Sequence, residues 1–169
     1  MKVLFPVLAA ALLLAAACSK PKPKVITPLQ RKEAANLVSE ANFAVTLRDY
    51  ARAQPLLEKA VALCPDDAES WVNLGIVRRR QGNAAGAKDA YQSALAAYRE
   101  AAEQNPAEPE RRMHEIYALA LLGRVDEARA VLEKARKKNP ENRPLRQFAE
   151  TKQIERLLDD PRFKEVAFK

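Results

Sequence analysis

The sequence is poor in the residues that most often carry catalysis or bind metals. Its 169 residues include two cysteines, four glycines and one histidine, His114. No His and Cys cluster has the spacing of metal ligands, no glycine-rich loop could cradle a phosphate, and no Gly-x-Ser-x-Gly turn is present. A glycosidase-type pair of carboxylates depends on the fold and not on local spacing, so it stays open. We expect a protein that is not an enzyme and that holds no cofactor or metal.

The first nineteen residues, MKVLFPVLAAALLLAAACS, are the most apolar part of the chain. Lys2 precedes 15 mostly apolar residues at positions 3–17, and small residues lead up to Cys18. The stretch is shorter than the ~20 residues of a membrane-spanning helix, and it is typical of a signal peptide over residues 1–17. It resembles a bacterial lipoprotein signal, which implies that Cys18 is acylated and that Ser19 directs the protein to the periplasmic face of the outer membrane. The alternative is an ordinary secretory signal and a soluble periplasmic protein.

We expect residues 18–30 to form a tether that begins at the lipidated cysteine. Its prolines, among them Pro21, Pro23 and Pro28, favour an extended polyproline II chain. If Cys18 is acylated, Cys64 is the only thiol left and no internal disulfide can form. We interpret Cys64 as a small packing residue.

Residues 68–98 predict two antiparallel helices joined by a tight turn. The first helix presents a stripe at positions i, i+3, i+4 and i+7, namely Trp71, Leu74, Gly75 and Arg78. After the turn, the same spacing resumes at Ala87, Tyr91 and Ala94. Gly82 can take the left-handed conformation that ends a helix. Because Gly75 and Ala87 carry little side chain, the two helices can cross closely, with Trp71 and Tyr91 filling the space beside them.

This pattern resembles a tetratricopeptide repeat, a 34-residue helix–turn–helix unit. The resemblance implies an all-α fold: an α-solenoid of about three repeats plus a C-terminal capping helix, within a domain over residues 31–169. The repeats are expected at about 34–67, 68–106 and 109–142, and the cap at 143–169. The cap is predicted to hold one helix over Leu145–Leu158 and to pack Phe163 and Val166 back onto the repeats.

The second helix of the second repeat is longer than the pattern requires. Tyr98 repeats the position of Tyr91 seven residues later, which is about two helical turns. We therefore predict one long helix over residues 84–104. It either packs on the following helix or forms a contact with a second copy of the chain or with a partner.

In this family the first helix of each repeat lines a concave groove that holds a peptide or a helix. Carried over by position, the partner groove comprises Asn42, Val72, Asn73, Ile76, Arg79, Arg80, Arg111 and His114. Five more residues fall on groove positions: Val38, Val45, Glu115, Leu121 and Leu122. In the third repeat a one-residue offset restores the buried stripe of Met113, Ile116, Tyr117 and Ala120 and leaves Arg112 and Glu115 facing water. The alternative is that the groove residues are merely solvated.

The formal net charge of +7 favours anionic partners or surfaces. Basic runs stand at Arg78–Arg80 and Arg136–Lys138, but we predict no nucleic acid partner because the chain is expected to be exported. The predicted function is an outer-membrane-anchored scaffold that binds another envelope protein or peptide, in the assembly of a pilus, secretion or outer-membrane complex. The alternatives are a self-associating structural lipoprotein and a regulator of a cell-wall enzyme.

Overall fold

The structure, a computed structural model, describes residues 25–169, and this part of the chain forms helices and no strands. Nine α-helices follow one another: α1 (Pro28–Thr46), α2 (Tyr50–Leu63), α3 (Ala68–Arg80), α4 (Ala84–Gln104), α5 (Arg112–Leu121), α6 (Val125–Lys138), α7 (Arg143–Glu150), α8 (Gln153–Asp159) and α9 (Pro161–Lys164). A 3₁₀ turn, Pro109–Arg111, precedes α5. The predicted signal peptide, Cys18 and the tether up to residue 24 lie outside the described residues. In the described range, every helix is too short or too polar to cross a membrane.

The first six helices form three hairpins that stack on one another. α1 packs on α2, α3 on α4 and α5 on α6, while α2–α3 and α4–α5 contacts join successive hairpins. A single hairpin cannot bury all of its apolar surface between its own two helices. The neighbouring hairpins cover the rest, and the stacked units share one continuous core. This arrangement confirms the predicted all-α solenoid of about three repeats.

The three hairpin turns each place one residue in the left-handed region. Gly82 has φ of +80° and Gly123 has φ of +74°, and glycine adopts this conformation without steric cost. Gly82 thus ends α3 as the sequence predicts. The first hairpin has Arg48 at the corresponding position, with φ of +59°. A residue with a side chain pays about 1–2 kcal/mol for that conformation.

The crossing of α3 and α4 depends on a close contact between Gly75 and Tyr91. Tyr91 is fully buried, and a Cβ atom built on Gly75 would lie 2.3 Å from Cε1 of its ring. The ring therefore covers Gly75 directly instead of filling the space beside it. Trp71 is half-buried next to this contact and donates its indole N–H to the carbonyl of Pro65 at 3.0 Å.

Two boundaries differ from the sequence predictions. α1 begins at Pro28, so the last three residues assigned to the tether are helical. Thr27 caps the helix, accepting from the Gln30 N–H while the Gln30 side chain accepts from the Thr27 N–H, and proline suits the first helical position.

The predicted single cap helix over Leu145–Leu158 is instead divided into α7 and α8. The break lies at Lys152, whose φ of +50° is left-handed. The turn lets α8 fold onto α5 and bury Ile154 in the largest core cluster. Phe163 and Val166 are buried there as predicted.

Candidate functional site

The C-terminal tail, defined here as residues 165–169, lies against the predicted partner groove. The side chain of Arg80 forms an ion pair with Glu165, and the guanidinium carbon of Arg79 lies 4.9 Å from the centre of the Phe168 ring. Two of the three arginines predicted to meet a partner therefore contact the chain's own tail. A cation over an aromatic face contributes about 0.5–1 kcal/mol at exposed sites.

Two hydrogen bonds to backbone groups of the tail also hold it in place. The Tyr91 hydroxyl donates to the Val166 carbonyl at 3.1 Å, and the Phe168 N–H donates to the Leu121 carbonyl at 2.8 Å. A Cβ on Gly123 would lie 3.0 Å from the Lys169 backbone. The tail thus takes the place in which the sequence analysis expected a partner segment.

The apolar residues assigned to this groove belong to the core. Val72 is only 5% exposed, and Leu121 and Leu122 are also buried. They share one cluster with Val166, and Ile76 is half-buried against it. These positions therefore do not form an open surface. The tail covers the part of the predicted groove that belongs to the second and third repeats.

Two other predicted groove residues, Arg111 and His114, come together at a different place. They line a cavity of 250 Å³, where the His114 ring stacks on Tyr98 with centroids 5.3 Å apart. Arg111 also pairs with Glu108 at 2.8 Å. Burial raises the pKa of Tyr98 to about 12, so its hydroxyl stays protonated beside the imidazole.

The remaining predicted groove residues lie on the first two repeats. Asn42 on α1 is exposed and Asn73 on α3 is half-buried. Val38 and Val45 pack as half-buried residues against the core cluster of the first two repeats. The eight predicted positions are therefore divided between the tail contact, the His114 cavity and this N-terminal part.

The basic run Arg78–Arg80 has an internal partner for each of its residues. Beyond the two tail contacts, the Arg78 guanidinium donates to Glu58 at 2.9 Å and to the Gly86 carbonyl at 3.0 Å. This hydrogen bond from Arg78 lowers the pKa of Glu58. Arg78, which departs from the aromatic residue of the repeat pattern, thus ties α3 to α2 and α4.

A larger cleft, of 780 Å³, is lined by α4, α5 and α6, and the residue pattern did not predict it. Here Glu115 is only 3% exposed, which corrects the expectation that it faces water. It accepts from Nε of Arg99 at 2.8 Å and from Nη1 of Arg112 at 2.7 Å. The additional turns of α4 bring Arg99 beside α5. The seven-residue extension was therefore the sequence signal that could have predicted the contact between Arg99 and the buried Glu115.

Among the described residues, no group of three His, Cys, Asp or Glu side chains is placed to hold a metal ion. Cys64 is a free, buried cysteine. Burial raises the pKa of its thiol, which disfavours the nucleophilic thiolate.

Comparisons with known proteins agree with the hairpin stack. One model described as a tetratricopeptide repeat matches residues 38–97, and a second with the same description matches residues 87–149. Together they cover positions 38–149, or 112 of the 169 residues. The chain has no match among curated proteins. The chain belongs to the tetratricopeptide-repeat proteins, whose repeats serve as scaffolds for binding other proteins or peptides.

Proposed function

We propose that this protein is a lipid-anchored adaptor of the bacterial envelope that holds another envelope protein on its first repeats. The anchor is the acylated Cys18, and the segment up to residue 27 is the tether between the lipid and α1. The apolar signal stretch followed by small residues and cysteine supports this anchor. Its place is the periplasmic face of the outer membrane, in the assembly of a pilus, secretion or outer-membrane complex.

The observation that carries the adaptor proposal is the uneven exposure of the repeats. The tail covers the groove of the second and third repeats, whereas Asn42, Phe43 and Leu47 in the first repeat are exposed. Exposed large apolar side chains beside a polar amide are typical of a protein-binding surface. The partner segment of this proposal therefore contacts α1 and the neighbouring Asn73, not Arg79 and Arg80.

The anchor is tested by metabolic labelling with an alkyne analogue of palmitate. We expect label on the wild type and on Cys64→Ala, and none on Cys18→Ala, because only the thiol at position 18 follows the signal. Fractionation should move Cys18→Ala from the membrane to the soluble fraction. Absence of label from all three chains would overturn the lipoprotein interpretation and leave the secretory alternative, and equal label on all three would place the acyl group at a residue other than Cys18.

The adaptor role is tested by photo-cross-linking in living cells. A benzoylphenylalanine residue is introduced at Asn42 or Asn73, and at exposed Lys88 on α4 as the matched control. We expect a discrete adduct with another envelope protein from the first two positions and none from position 88. Adducts of the chain with itself alone would favour self-association, and the absence of adducts at positions 42 and 73 would reject the adaptor.

Self-association through the long helix α4 is the alternative function, and the packing of α4 does not favour it. The apolar side of the extension is used inside the chain, because Leu95 and Ala102 are buried and α4 packs on α5. This is the first of the two roles that the sequence analysis left open for residues 84–104. Regulation of a cell-wall enzyme is one form that the adaptor role can take, with the enzyme as the partner held.

A further inference from the structure

We propose that the cleft lined by α4, α5 and α6 is a second binding site and that its ligand is an acidic peptide segment of a partner protein. The cleft, called here the α4–α6 cleft, shares none of its lining with the eight residues of the predicted groove. It stays open while the tail covers part of that groove. The proposal does not depend on the lipid anchor or on the surface of α1.

The shape of the cleft follows from the additional turns of α4. Without them the chain would turn toward α5 soon after Tyr98. Instead α4 continues to Gln104 and the chain returns through Pro106 and Pro109, which both line the cleft. The volume of 780 Å³ lies within the ~300–1,000 Å³ of pockets that bind organic ligands.

The cleft carries more positive than negative charge. Four cationic residues line it, Arg99, Arg112, Lys134 and Lys138, against two carboxylates, Glu103 and Glu115, so its formal charge is 4 − 2 = +2. Buried Glu115 receives one hydrogen bond from each arginine. A guanidinium has five N–H donors, so both arginines keep donors for a second carboxylate. Glu115 thereby holds the two guanidinium groups side by side as a preorganised anion site.

The rim and the walls of the cleft point to a peptide instead of a small anion. Lys134 and Lys138 are exposed, four residues apart on α6, and therefore lie on one side of that helix. The walls between the charges are apolar, with Ala102, Val131 and Ala135. A free phosphate would use the charges only, whereas a segment with carboxylates and an apolar side chain uses both surfaces. Arginine and carboxylate groups pair in a bidentate geometry that adds specificity.

Two sequence features that lie outside the predicted partner groove contribute to this cleft. One is the extension of α4, which supplies Arg99 and the outer wall. The other is the basic run Arg136–Lys138 at the end of α6, of which Lys138 lines the cleft. The dipole at a helix C-terminus explains why cations are tolerated there, but it does not explain why they face a cleft that already holds two arginines.

The test measures binding of a fluorescein-labelled heptapeptide, EELEELE, to the full-length chain in mild detergent by fluorescence anisotropy at low salt. We expect Lys134→Glu/Lys138→Glu to weaken binding by about tenfold or more, since two charge-assisted contacts become repulsive. Lys59→Glu/Lys88→Glu is the matched control, because both lysines are exposed, lie outside the cleft and change the net charge equally. The control and the groove variant Arg79→Gln/Arg80→Gln should keep the wild-type affinity, and the peptide QQLQQLQ should not bind. Circular dichroism checks that every variant is folded.

Three results would overturn the proposal. Equal losses in the two lysine double variants would mean that only net charge attracts the peptide. Unchanged affinity in Lys134→Glu/Lys138→Glu would place the peptide elsewhere. Cleft-dependent binding to vesicles of anionic phospholipid, without binding of the peptide, would mean that the cleft meets a membrane and not a protein. Failure of the cross-links at Asn42 and Asn73 would leave this measurement unaffected, so the two proposals fail independently.

Discussion

At the C-terminal end of the stack, α7, α8, α9 and the tail cover the third repeat, whereas at the N-terminal end apolar side chains of α1 stay exposed. Phe163 in the C-terminal part is 6% exposed, but Phe43 is 60% and Leu47 is 62% exposed. Stacked repeats need a terminal unit that shields their last apolar face. Residues 25–169 contain such a unit only at the C-terminal end. These exposed side chains of α1 belong to the surface on which we propose that a partner binds.

The core at the N-terminal end also has smaller side chains than the core at the C-terminal end. In the cluster that joins the first two repeats, four of the eight buried residues are alanines and none is aromatic. The cluster of the second and third repeats adds Tyr91 and Phe163, and aromatic side chains bury far more area than alanine. The C-terminal end should therefore contribute most of the free energy of unfolding, and four pairs of substitutions test or sharpen this contrast.

The largest expected effect comes from a pair of phenylalanine truncations, one at each end. Phe163→Ala should lower the free energy of unfolding by about 3–5 kcal/mol, because it leaves a cavity in a closed core. Phe43→Ala should change it by no more than about 0.5 kcal/mol, as for exposed positions. Urea titrations followed by circular dichroism measure both. Equal losses would show that the N-terminal end is as well packed in solution as the C-terminal end.

A second prediction concerns the contact at the centre of the stack. Gly75→Ala should cost about 1–3 kcal/mol, because the new methyl group collides with the Tyr91 ring. In a Tyr91→Ala background the same change should instead stabilise the chain by about 1 kcal/mol, since alanine favours a helix over glycine. A double-mutant cycle with thermal unfolding gives both values. A Gly75→Ala cost that persists without the ring would locate the strain elsewhere.

The first turn allows the N-terminal end to be strengthened. Arg48→Gly should raise the free energy of unfolding by about 0.5–1 kcal/mol, because it removes the left-handed strain but adds backbone freedom to the unfolded chain. Gly82→Ala, at the equivalent turn of the second repeat, should have the opposite sign with a cost of about 1 kcal/mol. Nothing lies within 4 Å of the added Cβ there, so the backbone alone sets this cost. The same sign for both changes would contradict the equivalence of the turns.

The smallest effect is expected at the rim of the tail. Arg80→Gln should lower the free energy of unfolding by no more than about 1 kcal/mol, because the ion pair with Glu165 is partly exposed and water screens it. Val166→Ala in the same tail is the comparison, and its buried methyl groups should cost more. Chemical unfolding of the two variants measures the ranking. If the ion-pair variant loses more, charge and not burial holds the tail in the groove.

Local pattern was sufficient for the hairpins of this chain. The positions of Leu74 and Tyr91 predict the buried faces of α3 and α4, and Gly82 predicts the turn between them. The repetition of Tyr91 at Tyr98 predicts the length of α4. Each of these signals involves residues within a few turns of one another, where helix periodicity and capping act. The capping pair Thr27 and Gln30 is equally local, and it could have moved the start of α1 to Pro28.

Long-range contacts decided which predicted site residues are open. Arg80 and Glu165 are 85 positions apart, and no periodic pattern links them. The burial of Glu115 likewise follows from Arg99 on another helix. The periodicity of a helix predicts which of its side chains face solvent. Whether such a side chain is exposed in the folded chain also depends on the distant segments that pack against it.

The amino-acid sequence by itself determined the helices of the three hairpins, their turns and their stacking order, because these follow from spacing, turn geometry and the burial of one face. The tertiary structure decided that the tail fills the groove behind Arg79, that His114 stacks on Tyr98, and that Glu115 holds two arginines at the α4–α6 cleft. The position of the tail depends on where the chain returns after α7, and the break at Lys152 directs that return. The other two outcomes depend on how the additional turns of α4 pack on α5. The residue type at position 152 does not predict a left-handed conformation. The packing of α8 on α5 outweighs the local backbone strain of that conformation.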